Sequence, residues 1–263
     1  MLKTPLRYPG GKSKALWSII PQVPEFSEYR EPFLGGGSVF LALKQQYPDR
    51  KYWINDLNDS LWCFWASMQT NPDEFVSKIQ HVRDTETDGR KLYLELRDAS
   101  FSDEVQEAMR FFVMNRITFS GITDAGAYSQ ESFDKRFTQS SIDRLLPVAC
   151  LLKDTRITNL DYTRLLLPEG ENVFVYLDPP YYLMSKSKLY GKTGMLHANF
   201  DHMRLARTLR EVEHKWLLTY DDCPEIKNLY RFANVTSWSH QYSMSNPGKT
   251  TVPRSSELFI SNF

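Results

Sequence analysis

Apolar residues recur with two different periods along this chain, and the two periods fall in different regions. Short apolar runs bounded by polar residues or glycine predict β-strands near both ends. These predicted strands cover residues 28–33, 51–54, 157–160, 173–177, 216–220 and 258–261. Helices are predicted from about Ser13, over 38–46 and over 201–213. The order of strand and helix in the first 56 residues predicts a βαβ unit, which implies a parallel sheet.

The middle of the chain follows the helical period instead. Apolar residues three or four positions apart recur there, as at Phe64 and Met68, and strand-like runs are few. We therefore predict an α/β domain made from residues 1–56 and 150–263. A mainly helical insert, residues 57–149, is predicted to lie between its two parts.

The formal charge of the 263-residue chain is zero, because 32 Lys and Arg balance 32 Asp and Glu. With 41% hydrophobic and 24% charged residues, the composition is that of a globular protein with a full core. The zero charge argues against a histone-like protein that coats nucleic acid through many phosphate contacts. Residues 57–149, however, hold ten Lys and Arg against fifteen Asp and Glu, and the remainder holds 22 against 17. A local basic patch is therefore compatible with the neutral total.

Cysteine, histidine and hydropathy indicate the compartment and argue against a metal site. Cys63, Cys150 and Cys223 are far apart and odd in number, which predicts free thiols in a reducing cytosol. The five His residues show no HxxxH spacing, so no metal is expected. The N-terminus lacks the apolar stretch of a signal peptide, and no apolar run is long enough to cross a bilayer. We therefore expect a cytoplasmic protein with no membrane partner.

A glycine-rich segment follows the first predicted strand and opens the next helix. It runs Glu31-Pro-Phe-Leu-Gly-Gly-Gly-Ser-Val-Phe40, and Asp56 lies 21 residues after Gly35 at the end of the next strand. Glycine lets the backbone turn tightly and approach a ligand closely, and nucleotide-binding α/β folds place an acid here to bind ribose hydroxyls. The glycines alone would equally suit a plain tight turn. Together with Asp56 they favour a nucleoside-containing ligand.

A second motif, Asp178-Pro179-Pro180-Tyr181, directly follows the apolar strand 173–177. This is the carboxyl end of a parallel strand, where open α/β sheets bind ligands. The two prolines fix φ and remove two amide donors, so a carboxylate and a carbonyl are left as acceptors on a stiff loop beside an aromatic ring. An exocyclic amino group, with two N–H donors, is the complement of this loop. The alternative is a rigid strand exit with a solvated aspartate and a packing tyrosine.

Five motifs stand in a fixed order along the two ends of the chain. The first, Tyr8-Pro-Gly-Gly-Lys12, would by itself suit an N-terminal turn with a surface lysine. The glycine-rich segment, Ile-Asn-Asp56, Asn-Leu-Asp161-Tyr162 and the Asp-Pro-Pro-Tyr loop follow it. These motifs occur in this order in the Dam-type DNA adenine methyltransferases, and the chain resembles this family over both parts of the predicted α/β domain. The resemblance implies a Rossmann-like methyltransferase sheet with helices on both faces, plus an inserted, mainly helical target-recognition domain.

The same resemblance implies a cofactor and assigns roles to residues. The cofactor would be S-adenosylmethionine, leaving S-adenosylhomocysteine as product, with no metal. Lys12 would lie near its carboxylate, Asp56 at its ribose, and Asp161 with Tyr162 beside its adenine. The other residues expected to bind the cofactor are Tyr8, Gly10, Gly11, Glu31, Pro32, Phe33, Gly35, Gly36, Gly37 and Ser38. The target base would be held by Asp178, Pro179, Pro180 and Tyr181.

Part of the insert also resembles this family. Asn115-Arg116 and Phe119-Ser120-Gly121 match its Asn-Arg, aromatic and glycine segment, in which an aromatic side chain is expected to enter the duplex. Residues 122–128 replace the arginine-containing stretch that usually follows, so recognition of GATC does not follow from the resemblance. The further residues that either contact DNA or belong to solvated surface loops are Ser129, Lys135, Arg136, Lys186, Lys188 and Lys192.

These observations predict a site-specific enzyme that methylates the 6-amino group of adenine in double-stranded DNA. The base must leave the helix, because its amino nitrogen cannot be aligned with a methyl donor inside the duplex. Alternatives on the same fold are methylation of the 4-amino group of cytosine or of RNA. An NAD-dependent oxidoreductase would explain only the glycines, and a non-catalytic DNA-binding module would leave Asp178 and Tyr181 unexplained. A monomer is expected, and a cognate restriction endonuclease is left open as a second partner.

Overall fold

The computed structural model describes residues 1–123, 126–182, 200–240 and 255–263. Seven strands form one sheet in the order β3-β2-β1-β4-β5-β7-β6. The strands are β1 Glu28–Glu31, β2 Lys51–Asn55, β3 Thr155–Thr158, β4 Val173–Leu177, β5 Lys215–Asp221, β6 Asn234–His240 and β7 Ser255–Ser261. Neighbouring strands from β3 to β5 are parallel, whereas β7 runs antiparallel to both β5 and β6. The predicted α/β class with a Rossmann-like methyltransferase sheet is thus confirmed.

Helices connect the strands and fill the middle of the chain. Those described are α1 Leu16–Ile19, α2 Ser38–Gln46, α3 Asp59–Thr70, α4 Pro72–Thr85, α5 Gly89–Asp98, α6 Glu104–Ile117, α7 Gln130–Arg136, α8 Gln139–Ile142, α9 Leu145–Leu151, α10 Thr163–Leu166, α11 His202–Glu211 and α12 Pro224–Leu229. Short 3-10 turns cover Lys12–Lys14, Ile20–Gln22 and Phe119–Gly121. Within the described ranges, no helix has the length and apolar character needed to cross a membrane.

The strand order reverses between β1 and β4, and this reversal positions the site. β1 pairs with β2 on one side and with β4 on the other, so the connections after β1 and β4 leave the same edge of the sheet in different directions. Open α/β sheets bind ligands in the crevice that such a reversal opens at the carboxyl ends of the strands. Both the glycine-rich segment and the Asp-Pro-Pro-Tyr loop begin there.

Strand β4 lies at the centre of the sheet, and each of its five residues is buried. Phe174 and Tyr176 face one apolar cluster, whereas Val173, Val175 and Leu177 face another. Helices therefore cover both faces of the sheet, as the period-two alternation of a buried strand requires. The first cluster continues into α3, α4 and α6, so the helices of residues 57–149 share a core with one face of the sheet. Their division into a separate target-recognition domain stays a prediction.

Three of the differences between the predicted and the observed elements have a physical reason. Strand β3 begins and ends two residues earlier than predicted, because the side chain of Asn55 accepts from the amide of Leu160 and donates to its carbonyl oxygen, at 2.8 and 2.9 Å. The helix expected from Ser13 is divided into two short 3-10 turns and α1, and Pro21 has no amide to continue the hydrogen bonding. Strand β6 was not predicted, because its sequence alternates without a continuous apolar run.

Candidate active site

Two glycines of the loop between β1 and α2 adopt left-handed backbone conformations that favour glycine. Gly35 has a φ of +49° and Gly37 a φ of +65°. A Cβ atom on Gly35 would lie 2.8 Å from Cε1 of Tyr8, and one on Gly37 would lie 2.9 Å from Cζ2 of Trp65. The loop is therefore enclosed by Tyr8 from the predicted N-terminal motif and by Trp65 from α3. Both aromatic rings contact the glycine backbone, and any larger residue at Gly35 or Gly37 would collide with them.

Asp56, directly after β2, links the glycine loop to the segment between β2 and α3 by hydrogen bonds. Its Oδ2 accepts the amide hydrogen of Gly35 at 2.8 Å, and its Oδ1 accepts that of Asn58 at 3.0 Å. Burial raises the pKa of Asp56, while these backbone hydrogen bonds act in the opposite direction. The carboxylate thus fixes the glycine loop, and with backbone donors from Gly35, Asn58 and Leu57 its two oxygens keep capacity for a further donor.

Asp178 leaves the end of β4 and is bound by two donors from other elements. Its Oδ1 lies 2.9 Å from Nζ of Lys12 and 2.8 Å from Oγ1 of Thr219 on β5. Lys12 is only 5% exposed, donates to the carbonyl of Gly10 at 3.1 Å, and lies 4.7 Å from the centre of the Tyr181 ring. The structure therefore brings the N-terminal motif onto the Asp-Pro-Pro-Tyr loop, where Lys12 balances the charge of Asp178.

The two tyrosines after the prolines are each held by a carboxylate. The hydroxyl of Tyr181 donates to Oε2 of Glu257 on β7 at 2.8 Å. The amide of Tyr182 donates to Oδ1 of Asp221 on β5 at 3.1 Å. Sequence reasoning missed both carboxylates, although Asp221 ends β5 much as Asp178 follows β4, a signal that could have found it.

Asp161 and Tyr162 lie on the other side of the glycine loop. The two carboxylate oxygens of Asp161 accept from the guanidinium of Arg204 on α11, at 2.8 and 2.9 Å. The ring of Tyr162 packs against Phe33 and Phe200, with centroids 5.5 and 6.1 Å apart. The three rings form an apolar wall beside the loop after β1. Sequence reasoning missed Arg204 and Phe200, which lie about 40 residues after Asp161 and Tyr162 in the chain.

Hydrogen bonds of Glu31, Pro32 and Ser38 hold the two ends of the glycine loop. Glu31 is 2% exposed and accepts from the hydroxyl of Tyr29 at 2.7 Å, while burial raises the pKa of its carboxyl group well above the ordinary range. The carbonyl of Pro32 accepts from the side chain of Asn55 at 3.1 Å. The hydroxyl of Ser38 lies 2.8 Å from that of Ser13. These contacts hold the ends of the loop against the sheet and the N-terminal segment.

A family model of D12 class N6 adenine-specific DNA methyltransferases matches residues 8–244 of the chain. The chain belongs to this family. Among similar proteins, the type II methyltransferase M1.LlaDCHI of Lactococcus lactis is 25% identical over 98% of this chain and 94% of its own length. The DNA adenine methylase of Vibrio cholerae is 23% identical over 97% and 95%, respectively. The type II methyltransferase M.MjaIII of Methanocaldococcus jannaschii is 25% identical over 80% of each chain. The predicted family and enzyme class are confirmed.

In this adenine methyltransferase, two residues predicted to contact DNA are buried. Asn115 is 1% exposed; its side chain accepts from the amide of Arg7 at 3.0 Å and donates to the carbonyls of Arg7 and Gly121 at 2.8 and 2.9 Å. Arg116 is 5% exposed, and its guanidinium lies 5.0 Å from the ring centre of Phe112. Asn115 therefore joins α6 to the segment that precedes Tyr8.

The other predicted DNA contacts of the methyltransferase differ in exposure. Phe119 is 67% exposed, directly before Ser120, whose φ of +57° turns the chain. The hydroxyl of Ser129 caps α7 by accepting from the amide of Ser132 at 3.1 Å. Lys135 lies 3.0 Å from an oxygen of Glu131. Arg136 ends α7 on the surface, and the remaining predicted lysines, Lys186, Lys188 and Lys192, lie outside the described residues.

The methyltransferase shows no metal-ligand cluster and no disulfide within the described residues. No group of three or more His, Cys, Asp or Glu side chains there is arranged to hold an ion. Cys63 and Cys223 are buried free thiols, and Cys150 is an exposed one. The described groups of the site include carboxylates, tyrosines, Lys12, Arg204, Thr219 and backbone atoms.

Proposed function

We propose that this methyltransferase transfers a methyl group from S-adenosylmethionine to the 6-amino nitrogen of an adenine flipped out of double-stranded DNA. The observation that carries the proposal is the position of Asp178 and Tyr181. They stand at the carboxyl end of β4, across the sheet reversal from the glycine loop after β1. A carboxylate and an aromatic ring at that edge are what an exposed base with an amino group requires.

The crevice beside the glycine loop fits a nucleoside cofactor. Gly35 and Gly37 make a tight turn at the carboxyl end of β1, Asp56 retains acceptor capacity, and Phe33 with Tyr162 forms an apolar wall. We assign the ribose hydroxyls to Asp56 and the adenine ring to the apolar wall. S-adenosylmethionine, when bound, supplies an electrophilic methyl group on a sulfonium.

Lys12 joins the two halves of the proposed site. An ammonium group has three N–H donors, and two of those of Lys12 bind the Gly10 carbonyl and Asp178. The third is available to a carboxylate of the cofactor. Lys12 thus supports the charge of Asp178 and, in the same position, attracts an anionic ligand to the loop of Gly10 and Gly11.

Asp178, Pro179 and Tyr181 would prepare the amino group of the target base. Both described donors to Asp178 bind Oδ1, which leaves Oδ2 for an amino hydrogen of the base. The carbonyl of Pro179 would accept the other hydrogen. These two hydrogen bonds draw the nitrogen lone pair out of conjugation, and the ring of Tyr181 stacks on the base. The residues contribute positioning and electrostatic stabilisation, with no covalent intermediate on the enzyme.

On the DNA side, we assign Phe119 and Ser120 to the opened base pair and Arg136 to the backbone. Phe119 is the exposed aromatic residue at the end of α6, as insertion into a base stack requires. Asn115 is 1% exposed, so we assign it to the junction between α6 and Arg7 and not to the DNA surface. The prediction of a monomer in the cytoplasm, with or without a cognate restriction endonuclease, is retained as part of this proposal.

The test is the identity of the methylated nucleoside. Purified protein is incubated with duplex DNA or RNA and S-adenosylmethionine, and digested nucleosides are analysed by mass spectrometry. We expect N6-methyladenine from duplex DNA; N4-methylcytosine, or modification of RNA alone, contradicts the proposal. Asp178→Ala is expected to lower turnover at least about 100-fold, by analogy with the loss of one preorganised group elsewhere. Calorimetry should show that this variant still binds S-adenosylmethionine, and near-normal turnover would refute the role of Asp178.

A further inference from the structure

Asp178 lacks the local backbone donors that orient other aspartates of the site. An aspartate in a turn commonly accepts the amide hydrogen of the residue two positions further on. Asp56 and Asp161 do so, because they accept from the amides of Asn58 and Thr163 at 3.0 and 3.1 Å. The two residues after Asp178 are prolines, which have no amide hydrogen. The direction of its carboxylate is therefore set by groups from other parts of the chain.

Thr219 provides such a group from the middle of the sheet. It is fully buried on β5, a strand that lies between β4 and β7. Its hydroxyl donates to Oδ1 of Asp178 at 2.8 Å. A threonine side chain branches at Cβ, so few rotamers are open to it, and a central strand fixes the position of its Cα. Thr219 thus presents a hydrogen-bond donor in a defined direction.

Tyr176 on β4 completes a short chain of hydrogen bonds within the sheet. Its hydroxyl oxygen lies 3.2 Å from that of Thr219, which is also 3.3 Å from the carbonyl of Leu177. Burial, and after it the charge of Asp178, raises the pKa of Tyr176 well above the ordinary value, so this hydroxyl keeps its hydrogen and can donate it to Thr219. A threonine hydroxyl has only one hydrogen of its own. That hydrogen is directed to the carboxylate, its nearest acceptor.

Lys12 contacts the same carboxylate oxygen, but its contribution is different. Its Nζ lies 2.9 Å from Oδ1 of Asp178 and also donates to the carbonyl of Gly10. An ammonium group is a compact charge on a flexible stem, so it balances a negative charge without imposing a direction. Lys12 therefore supplies the charge opposite Asp178, and Thr219 supplies the orientation.

The same strand also holds the far end of the loop. Asp221 follows Thr219 by two residues on β5, so the two side chains leave the same face of the strand. Asp221 accepts from the amide of Tyr182. The segment from Asp178 to Tyr182 is thus fixed at its first and last residues by one strand, while the prolines between them stiffen it.

We infer that Thr219 is a positioning residue for methyl transfer, which orients Asp178 so that Oδ2 faces the amino group of the target adenine. The inference rests on the proposed function and extends it to a residue that acts through Asp178. Partial rotation of the carboxylate would break the hydrogen bonds of Oδ1 to Thr219 and Lys12. An acceptor held in this way needs no reorientation when the base arrives, which lowers the barrier to the reaction.

The first test removes the Thr219 hydroxyl with little change in shape. Thr219→Val keeps the branched side chain, whereas Thr219→Ser keeps the hydroxyl. In single-turnover methylation of duplex DNA, we expect Thr219→Val to be about 10- to 100-fold slower and Thr219→Ser to retain most of the rate. Calorimetry should show an unchanged affinity for S-adenosylmethionine in both variants. A wild-type rate for Thr219→Val, or equal losses in the two variants, overturns the inference.

Thr155→Val is the matched control. Thr155 is also a buried threonine, 4% exposed, on β3, and its hydroxyl has no hydrogen-bond partner among the described residues. Its replacement makes the same chemical change in the same sheet, so the rate of methyl transfer should remain that of the wild type. A similar slowing in Thr155→Val would assign the loss at Thr219 to packing of the sheet and contradict the inference.

The second test asks whether Thr219 acts through the amino group of the base. Purine, which has a hydrogen in place of that amino group, replaces the target adenine, and binding of both duplexes is measured by fluorescence anisotropy with S-adenosylhomocysteine present. The ratio of the adenine affinity to the purine affinity should fall about three- to tenfold from the wild type to Thr219→Val and should not change in Thr155→Val. The different costs of flipping the two bases are the same for every variant and cancel in this comparison.

An unchanged ratio in Thr219→Val would show that the hydroxyl does not act through the amino group, and it overturns the inference. The proposed function has a separate outcome, because it fails only if the wild type forms no N6-methyladenine in duplex DNA.

Discussion

The hydroxyl of Tyr181 donates a 2.8 Å hydrogen bond to Glu257, across the 76 residues that separate them in the chain. Glu257 is 1% exposed and lies on β7, directly opposite Asp221 of β5 in the antiparallel ladder. Asp221 accepts from the amide of Tyr182. Two adjacent carboxylates on neighbouring strands therefore hold two consecutive tyrosines of the loop. Glu257 is a positioning residue in the proposed site, because it acts through the ring of Tyr181.

Replacement of Glu257 should slow methyl transfer without weakening the binding of S-adenosylmethionine. Glu257→Ala removes the acceptor of this hydrogen bond from the half-buried Tyr181 hydroxyl, and the loss of about 1–1.5 kcal/mol of positioning corresponds to a loss of turnover of about tenfold. Glu257→Gln keeps an acceptor oxygen and should retain most of the rate. Single-turnover rates and calorimetric cofactor affinities check both expectations.

A double-mutant cycle identifies the path of this effect. If Glu257 acts through the hydroxyl of Tyr181, then Tyr181→Phe and Tyr181→Phe with Glu257→Ala should be equally slow. Strictly additive losses in the double variant would show that Glu257 affects the reaction by another route, such as the packing of β7.

The sequence predicted the position of Asp178 but not that of Glu257, for a physical reason. A continuous apolar run such as Val173–Leu177 marks a buried parallel strand, and the residue after it must lie at the carboxyl edge. The partner of Tyr181 depends instead on the insertion of β7 between β5 and β6. No local pattern records which distant strand occupies that place.

The pH dependence of stability should carry a contribution from Glu31. Burial raises the pKa of Glu31 well above its ordinary value of 4.5, so the folded protein holds a proton that the unfolded chain releases. Stability therefore falls as pH rises above about 4.5, by at most about 1.4 kcal/mol per pH unit for one group. Glu31→Gln removes the titrating carboxyl group from both the folded and the unfolded state. Urea unfolding between pH 5 and 8 should show the variant gaining stability relative to the wild type as pH rises.

Glu25→Gln provides the control for this measurement. Glu25 is exposed three residues before β1, so its side chain meets water in both states and its replacement should leave the pH profile unchanged. Parallel stability profiles for Glu31→Gln and the wild type would contradict the assignment of the pH dependence to Glu31.

The sequence did not predict which of the proposed DNA contacts are buried and which are exposed. The Asn-Arg pair suggested two surface contacts, yet the last turns of α6 are buried on every side, including Asn115 and Arg116. Asn115 is accommodated in this otherwise apolar stretch because it bonds to Arg7, which is 108 positions away. That contact depends on how the N-terminal segment crosses α6. Phe119 differs in the opposite direction: it is apolar and follows an apolar helix, yet its side chain is exposed.

Phe119→Ala should impair methylation of paired DNA more than methylation of DNA in which the target adenine has no partner. The side chain is 67% exposed, so its removal should change stability by less than about 0.5 kcal/mol. Its turn is fixed by the hydrogen bond from its amide to the carbonyl of Ala127 at 2.9 Å. If the ring enters the duplex, its loss should reduce turnover on a matched duplex by about tenfold or more. An abasic site opposite the target adenine lowers the cost of flipping and should restore most of the rate.

Trp17→Ala, at an aromatic residue 71% exposed on α1, is the matched control and should affect neither substrate. Equal losses for Phe119→Ala on both duplexes would show that Phe119 serves binding in general and not the opening of the base pair.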